Sequence, residues 1–272
     1  MHPMLTIAQR AARRAGEKIA YSIDRLSQIK VEEKGRHDYV SEIDKAAEAL
    51  IIETLQRSYP EHGILGEESG LIEGRGAGRD YLWVIDPLDG TTNFLHGVPH
   101  CAVSIGLRHR GQLDQAIVLD PFRQEEFTAS RGAGAQLNGR RIRVSDRKSF
   151  PGSLLATGFP FKPVTAQTQG KVSHYFRTLE QLAGVTSGIR RAGSAALDLA
   201  YVAAGRYDGY WELDLQAWDL AAGALLVQEA GGLVSDHAGG QNFLDGGDIV
   251  AAAPRCHKVL LDMIRHGGGE KS

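Results

Sequence analysis

The chain has 272 residues, 42% of them hydrophobic, with a formal charge of −2 and a pI near 6.6. That is apolar material for one large domain or two intimately packed lobes, and it carries no global basic field of the kind that binds nucleic acid or an anionic membrane. No apolar run reaches membrane-spanning length, the first residues lack a signal-peptide core, and Cys101 and Cys256 alone exclude a disulfide framework or a Cys-based zinc site; the expected setting is the cytoplasm.

Leu5, Ala8, Ala12, Ala15 and Ile19 recur at helical spacing and predict a helix over Met4–Ala20. Lys34–Tyr39 is polar and reads as a loop. Ser41–Tyr59 reads as a second helix, opened by the capping box Ser41-Glu42-Ile43-Asp44 and stopped by Pro60. Ile64-Leu65 is a short apolar run before Gly66-Glu67-Glu68-Ser69, and Gly70–Asp80 reads as an exposed loop. Trp83-Val84-Ile85 predicts a buried strand that ends in Asp86-Pro87-Leu88-Asp89-Gly90-Thr91-Thr92-Asn93-Phe94. Strands follow at Ala102–Leu107, Ala116–Leu119 and Glu126–Ala129. A type I′ hairpin is signalled by Asn138-Gly139 between Ala135–Leu137 and Ile142–Val144. These strands make an antiparallel meander.

Beyond Ser145–Gly152 the rhythm changes. Strands at Leu154–Thr157, Gly209–Leu213, Leu233–Ser235 and Ile249–Ala252 alternate with helices at Val172–Leu182, Ser194–Ala204, Leu220–Ala230 and His257–Arg265. Gly205 and Gly231-Gly232 stand where helix C-caps belong. The prediction is a mixed α+β and α/β chain, with an α+β lobe over 1–148 and an α/β lobe over 149–272 packed as one unit.

Acids gather at the ends of these elements: Asp38 and Asp44, Glu67 and Glu68, Asp86 and Asp89, and Asp219. Singly, each has an ordinary reading as a cap, a turn or a first-turn helix acid. Together they describe a site. Asp86, Asp89 and the Leu88 carbonyl form half a hard-cation shell, and Glu67 and Asp219 can complete shells for two ions. The following Gly90-Thr91-Thr92 offers N–H groups and hydroxyls suited to phosphate oxygens. The acids are too scattered for the compact loop of a calcium module.

Asp38–Asp44, Gly66-Glu67-Glu68-Ser69, Trp83–Phe94, Gly158-Phe159-Pro160-Phe161, Arg190–Asp198, Trp218–Gly223 and Glu229–Gly232 occur in the order found in the inositol monophosphatase family. The chain resembles that family over nearly its whole length, most closely its bacterial SuhB-type branch. The resemblance implies a layered αβαβα sandwich of the sugar-phosphatase type. It also implies a Mg²⁺-dependent, Li⁺-sensitive phosphomonoesterase with two or three Mg²⁺ per site. By this resemblance Glu67, Asp86 and the Leu88 carbonyl hold the first ion, and Asp86, Asp89 and Asp219 the second. Thr91 with Asp44, beside Glu67, activates the water. Leu88, Asp89, Gly90, Thr91, Thr92 and Asp219 meet the substrate. Glu212 takes its hydroxyls, and Arg190, Gly193, Ser194 and Ala195 complete the wall.

Implied substrates are myo-inositol-1-phosphate and related polyol or nucleoside monophosphates. The alternatives are fructose bisphosphate, phosphoadenosine phosphate or histidinol phosphate. The resemblance further implies a homodimer without membrane attachment, and a second role in transcription antitermination with NusA and RNA polymerase, for which Arg190 and Arg191 are candidate contacts. Two departures stand out. Cys101 replaces a common Phe and reads as a small core residue. Asp214 replaces a common Gly and reads as a loop acid, or as an added charge near the substrate wall.

Overall fold

The computed structural model describes residues 2–35, 38–160 and 169–266, with backbone alone at 33–35, 38, 39 and 266. The Asp38 side chain and Phe161, both singled out in the sequence, lie outside that part. Helix α1 (Pro3–Ser22) is followed by a hairpin of β1 (Val31–Gly35) and β2 (Asp38–Ser41), which leads directly into α2 (Glu42–Ser58). The stretch expected as a loop at Lys34–Tyr39 therefore contributes to paired strands, with Glu32 opposite Val40. Two adjacent extended segments satisfy each other's N–H and C=O groups whatever their side chains.

Next come β3 (Gly63–Gly66), β4 (Gly70–Ile72), β5 (Tyr81–Asp89), α3 (Thr91–Leu95), β6 (Ala102–His109), β7 (Gln112–Asp120), β8 (Glu125–Ser130), β9 (Gly134–Leu137) and β10 (Arg140–Arg141). Their strands form an eight-stranded sheet in the order β10-β9-β8-β7-β6-β5-β3-β4. From β5 to β10 each strand is antiparallel to the next, which is the expected meander. Asn138 (φ 49°) and Gly139 (φ 76°) make the hairpin turn, the left-handed pair that a type I′ turn demands. Pairing begins at the turn, with Leu137 opposite Arg140, so β10 lies earlier than the expected Ile142–Val144.

The remaining elements are β11 (Leu154–Thr157), α4 (Gln169–Val185), β12 (Gly188–Arg190), α5 (Ala195–Ala203), β13 (Gly209–Glu212), α6 (Ala217–Glu229), β14 (Leu233–Ser235), α7 (Phe243–Gly246), β15 (Ile249–Ala252) and α8 (Pro254–His266). The strands form a mixed sheet in the order β12-β11-β13-β15-β14. β12, α3 and α7 are too short to repeat a hydrophobic pattern and leave no periodic signal in the sequence.

Five layers result, as expected. Trp83 and Ile85 of β5 pack with Ala12, Ala15, Ala47 and Ile51 of α1 and α2. Val84, between them, belongs with Ala116, Leu197, Leu220 and Leu225 to a core shared by the large sheet, α5, α6 and the small sheet. Beyond the small sheet, Leu155, Trp211 and Val250 pack with Tyr175, Leu182, Leu260 and Ile264 of α4 and α8. Both sheets are covered on both faces, which is why their central strands read as continuous apolar runs. Cys101 is a buried, unoxidised core residue beside Phe94 and Leu88.

Candidate active site

Three positions separate Asp86 from Asp89, and in a regular strand that spacing would send them to opposite faces. The strand is not regular there. Asp86 lies opposite Ser104 and Asp89 opposite Ala102, so β5 carries one extra residue between them. This bulge returns Asp89 to the side of Asp86, while the Leu88 side chain packs into the core with α1 and α2. The Leu88 N–H donates to Asp86 Oδ1 at 2.9 Å and fixes the bulge. Gly90 (φ 94°) then takes the left-handed conformation that starts α3.

Three helix N-termini meet here. Asp44 is the third residue of α2 and accepts from the Ser41 N–H at 2.9 Å, the predicted capping box. Asp219 is the third residue of α6 and accepts from the Gln216 N–H at 2.7 Å. Asp89 Oδ2 accepts from Ser194 Oγ at 2.6 Å and from the Ala196 N–H at 2.7 Å, at the start of α5. The positive ends of the helices stabilise these anions and anything anionic bound among them. Thr91 Oγ1 lies 2.8 Å from Asp44 Oδ1 and 3.0 Å from the Leu88 carbonyl.

A cavity of about 440 Å³ opens over this floor. Its lining includes Glu67, Asp89, Gly90, Thr91, Thr92 and Asp219 together with Gly193, Ser194, Ala195 and Glu212. Asp86 and Asp44 lie buried beside it. Burial raises the carboxyl of Asp86 well above the usual range, and repulsion from Glu67, Asp89 and Asp219 adds to that. Burial pushes Asp89 to about 6 against its bonds to the α5 start, and raises Asp219, with repulsion from Asp89 adding to it. Glu212 is pushed up to about 7, opposed by the Tyr210 hydroxyl and by Arg191. Gly158 makes room for it: a Cβ there would lie 1.7 Å from Glu212 Oε1.

One expected wall residue, Arg190, is not among those lining the cavity. Arg190 is exposed in edge strand β12, in register with Ala156, and Arg191 lines the cavity instead. The Arg191 guanidinium stands 5.6 Å from the Phe159 ring centroid. Asp214 occupies a left-handed position (φ 60°) and accepts from Lys171 Nζ at 2.9 Å. Asn93, named in the sequence only as part of its motif, bonds the carbonyls of His100 (2.8 Å) and Ala192 (2.9 Å) and ties the far wall to α3.

A wider groove of about 700 Å³ lies between α1 and the sheet end, but its Gln9, Arg13 and Glu126 bond one another and it holds none of these acids. Among the described residues no Lys or Arg forms an ion pair with Asp86, Asp89 or Asp219, and no three His, Cys, Asp or Glu side chains stand close enough together to hold a metal ion as they are placed. Asp86, Asp89 and Asp219 are buried oxygen donors that repel one another and form no ion pair, a donor chemistry suited to hard divalent cations.

The sequence model of the inositol monophosphatase family matches residues 1–266. The chain belongs to that family. It is 62% identical to the Nus factor SuhB of Pseudomonas aeruginosa, over 97% of each chain. Its fold matches the crystal structure of the extragenic suppressor protein suhB from Bartonella henselae with a TM-score of 0.92 at 41% identity, covering 98% of this chain and 100% of that one. It also matches the inositol monophosphatase of Anabaena with a TM-score of 0.81 at 38% identity, covering 96% and 94%. As an inositol monophosphatase family member, the chain carries the scaffold of a phosphatase family.

Proposed function

We propose that this protein hydrolyses inositol monophosphate and related polyol or nucleoside monophosphates with Mg²⁺. The observation that carries this reading is the convergence of Glu67, Asp86, Asp89 and Asp219 beside the Thr91–Asp44 pair. Glu67, Asp86 and the Leu88 carbonyl would hold one ion, and Asp86, Asp89 and Asp219 a second. Bound there, the ions would lower the pKa of water and offset the charge of the phosphoester. Thr91 Oγ1, held by Asp44, orients the attacking water, and Asp44 takes the proton through the hydroxyl. The Gly90–Thr92 turn offers N–H groups to phosphate oxygens. Glu212 faces the alcohol portion and accepts from its hydroxyls.

The test is steady-state turnover with Mg²⁺ titrated and Li⁺ added. Myo-inositol-1-phosphate should be hydrolysed and Li⁺ should inhibit. Negligible inositol phosphate turnover beside fast cleavage of fructose bisphosphate, phosphoadenosine phosphate or histidinol phosphate would reject the substrate. Cytoplasmic location and a homodimer accompany this reading.

The Nus factor name of relatives supports a second role, antitermination with NusA and RNA polymerase. A phosphatase-dead Asp89→Asn variant should still bind NusA, and no binding by the wild type would reject that role.

A further inference from the structure

We propose that Glu48 is a positioning residue that fixes the turn carrying Glu67, an inference that rests on the metal-dependent reading above. Glu48 is buried on α2, one helical turn after Asp44. Its Oε2 accepts from the Glu68 N–H at 3.0 Å and its Oε1 from the Ser69 N–H at 2.7 Å. Both carboxylate oxygens thus hold consecutive peptide groups immediately after Glu67. Before it, Gly66 pairs with Ile85 in the sheet, and the Glu67 N–H donates to the Ile85 carbonyl at 3.1 Å. Glu67 is gripped on one side by β5 and on the other by Glu48.

The preceding glycine belongs to the same device. A Cβ at Gly66 would lie 2.5 Å from Glu48 Oε2 and 2.6 Å from Ser69 Oγ, so a side chain there would expel the carboxylate. Bonds from two N–H groups to one carboxylate are charge-assisted and directional. Because Asp44 holds Thr91 from the same helix, α2 sets the spacing between the water-activating pair and the metal-facing turn. Groups that orient metal ligands matter almost as much as the ligands themselves.

The test uses the full chain with Glu48→Gln and Glu48→Ala. Mn²⁺ and Mg²⁺ binding is followed by titration calorimetry, and amide hydrogen exchange at Glu68 and Ser69 is measured without metal. Glu48→Gln, isosteric but with one acceptor in place of two, should weaken metal binding by about 10- to 100-fold. It should also speed exchange at those two amides, and raise the metal concentration for half-maximal activity while leaving substrate KM at saturating metal unchanged. Glu48→Ala should go further in each respect; where it fails to fold, Glu48→Gln decides. A general packing role would lower Tm without moving metal affinity. A folded Glu48→Gln protein with wild-type affinity and exchange overturns the inference alone. A wild-type protein that binds neither ion overturns the metal reading and this inference with it.

Discussion

At the residue scale, the site depends on carboxylates held in states that water would not allow. Asp44 has its oxygens on Ser41 and Thr91, which makes it a fixed acceptor. Asp44→Asn should reduce kcat by about 100-fold or more while metal binding is retained, since proton transfer is lost and the ion-facing acids remain; kcat within a factor of about two of wild type would remove Asp44 from the mechanism. Glu212 permits a pH prediction. Its carboxyl titrates near the usual 4.5 when unfolded and at about 7 in the fold. Below the lower value both states hold the proton and burial is harmless. Between the two the folded state holds more protons, so stability falls as pH rises, and the full loss applies above the higher value. By that shift the loss is on the order of 3 kcal/mol. Metal-free wild type should therefore lose Tm relative to Glu212→Gln between pH 5 and pH 8. A difference that does not vary with pH would contradict the burial argument.

At the scale of elements, one extra residue in β5 and three helix starts do most of the positioning. Asp44 and Asp219 are both third-residue capping acids, so helix formation itself delivers them to the cavity. Ser41→Ala removes a side-chain cap that accepts from the Ile43 N–H and a donor to Asp44. It should lower stability by about 1 kcal/mol and also depress kcat, because the cap and the water-side acid are joined. Denaturant unfolding with kinetics on the same preparation checks both, and a stability loss with wild-type kcat would separate them. Asn93 acts between elements by joining α3 to the segment before α5. Its motif was visible in the sequence, but its bond to Ala192, 99 positions away, was not. Glu48 had a legible signal, a second acid one turn after Asp44 on the same helix face.

At the scale of the whole molecule, α5 and α6 lie between the two sheets and belong to the core both share. Although the sequence rhythm changes near 148, we propose that the two halves fold together. Calorimetry should give a single cooperative transition, whereas two resolved transitions would show separable lobes. Among the described residues no helix is long and apolar enough to cross a membrane. The cavity draws Asp44 and Asp89 from the first half and Glu212 and Asp219 from the second, so neither half alone contains it.

Local chemistry was readable along the chain: the long helices from their apolar spacing, the meander from its turns, the Ser41–Asp44 capping box, and the acids at element ends. These depend on near neighbours, and near neighbours are adjacent in sequence. That Arg191 rather than Arg190 borders the cavity was not readable, because the lining is decided by how segments far apart in the chain pack together. The same holds for Asp214, whose partner Lys171 stands on another element. Burial, repulsion among distant acids and the grip of Glu48 on the Glu67 turn arise only when separate segments pack, since each requires groups brought into contact across long stretches of chain.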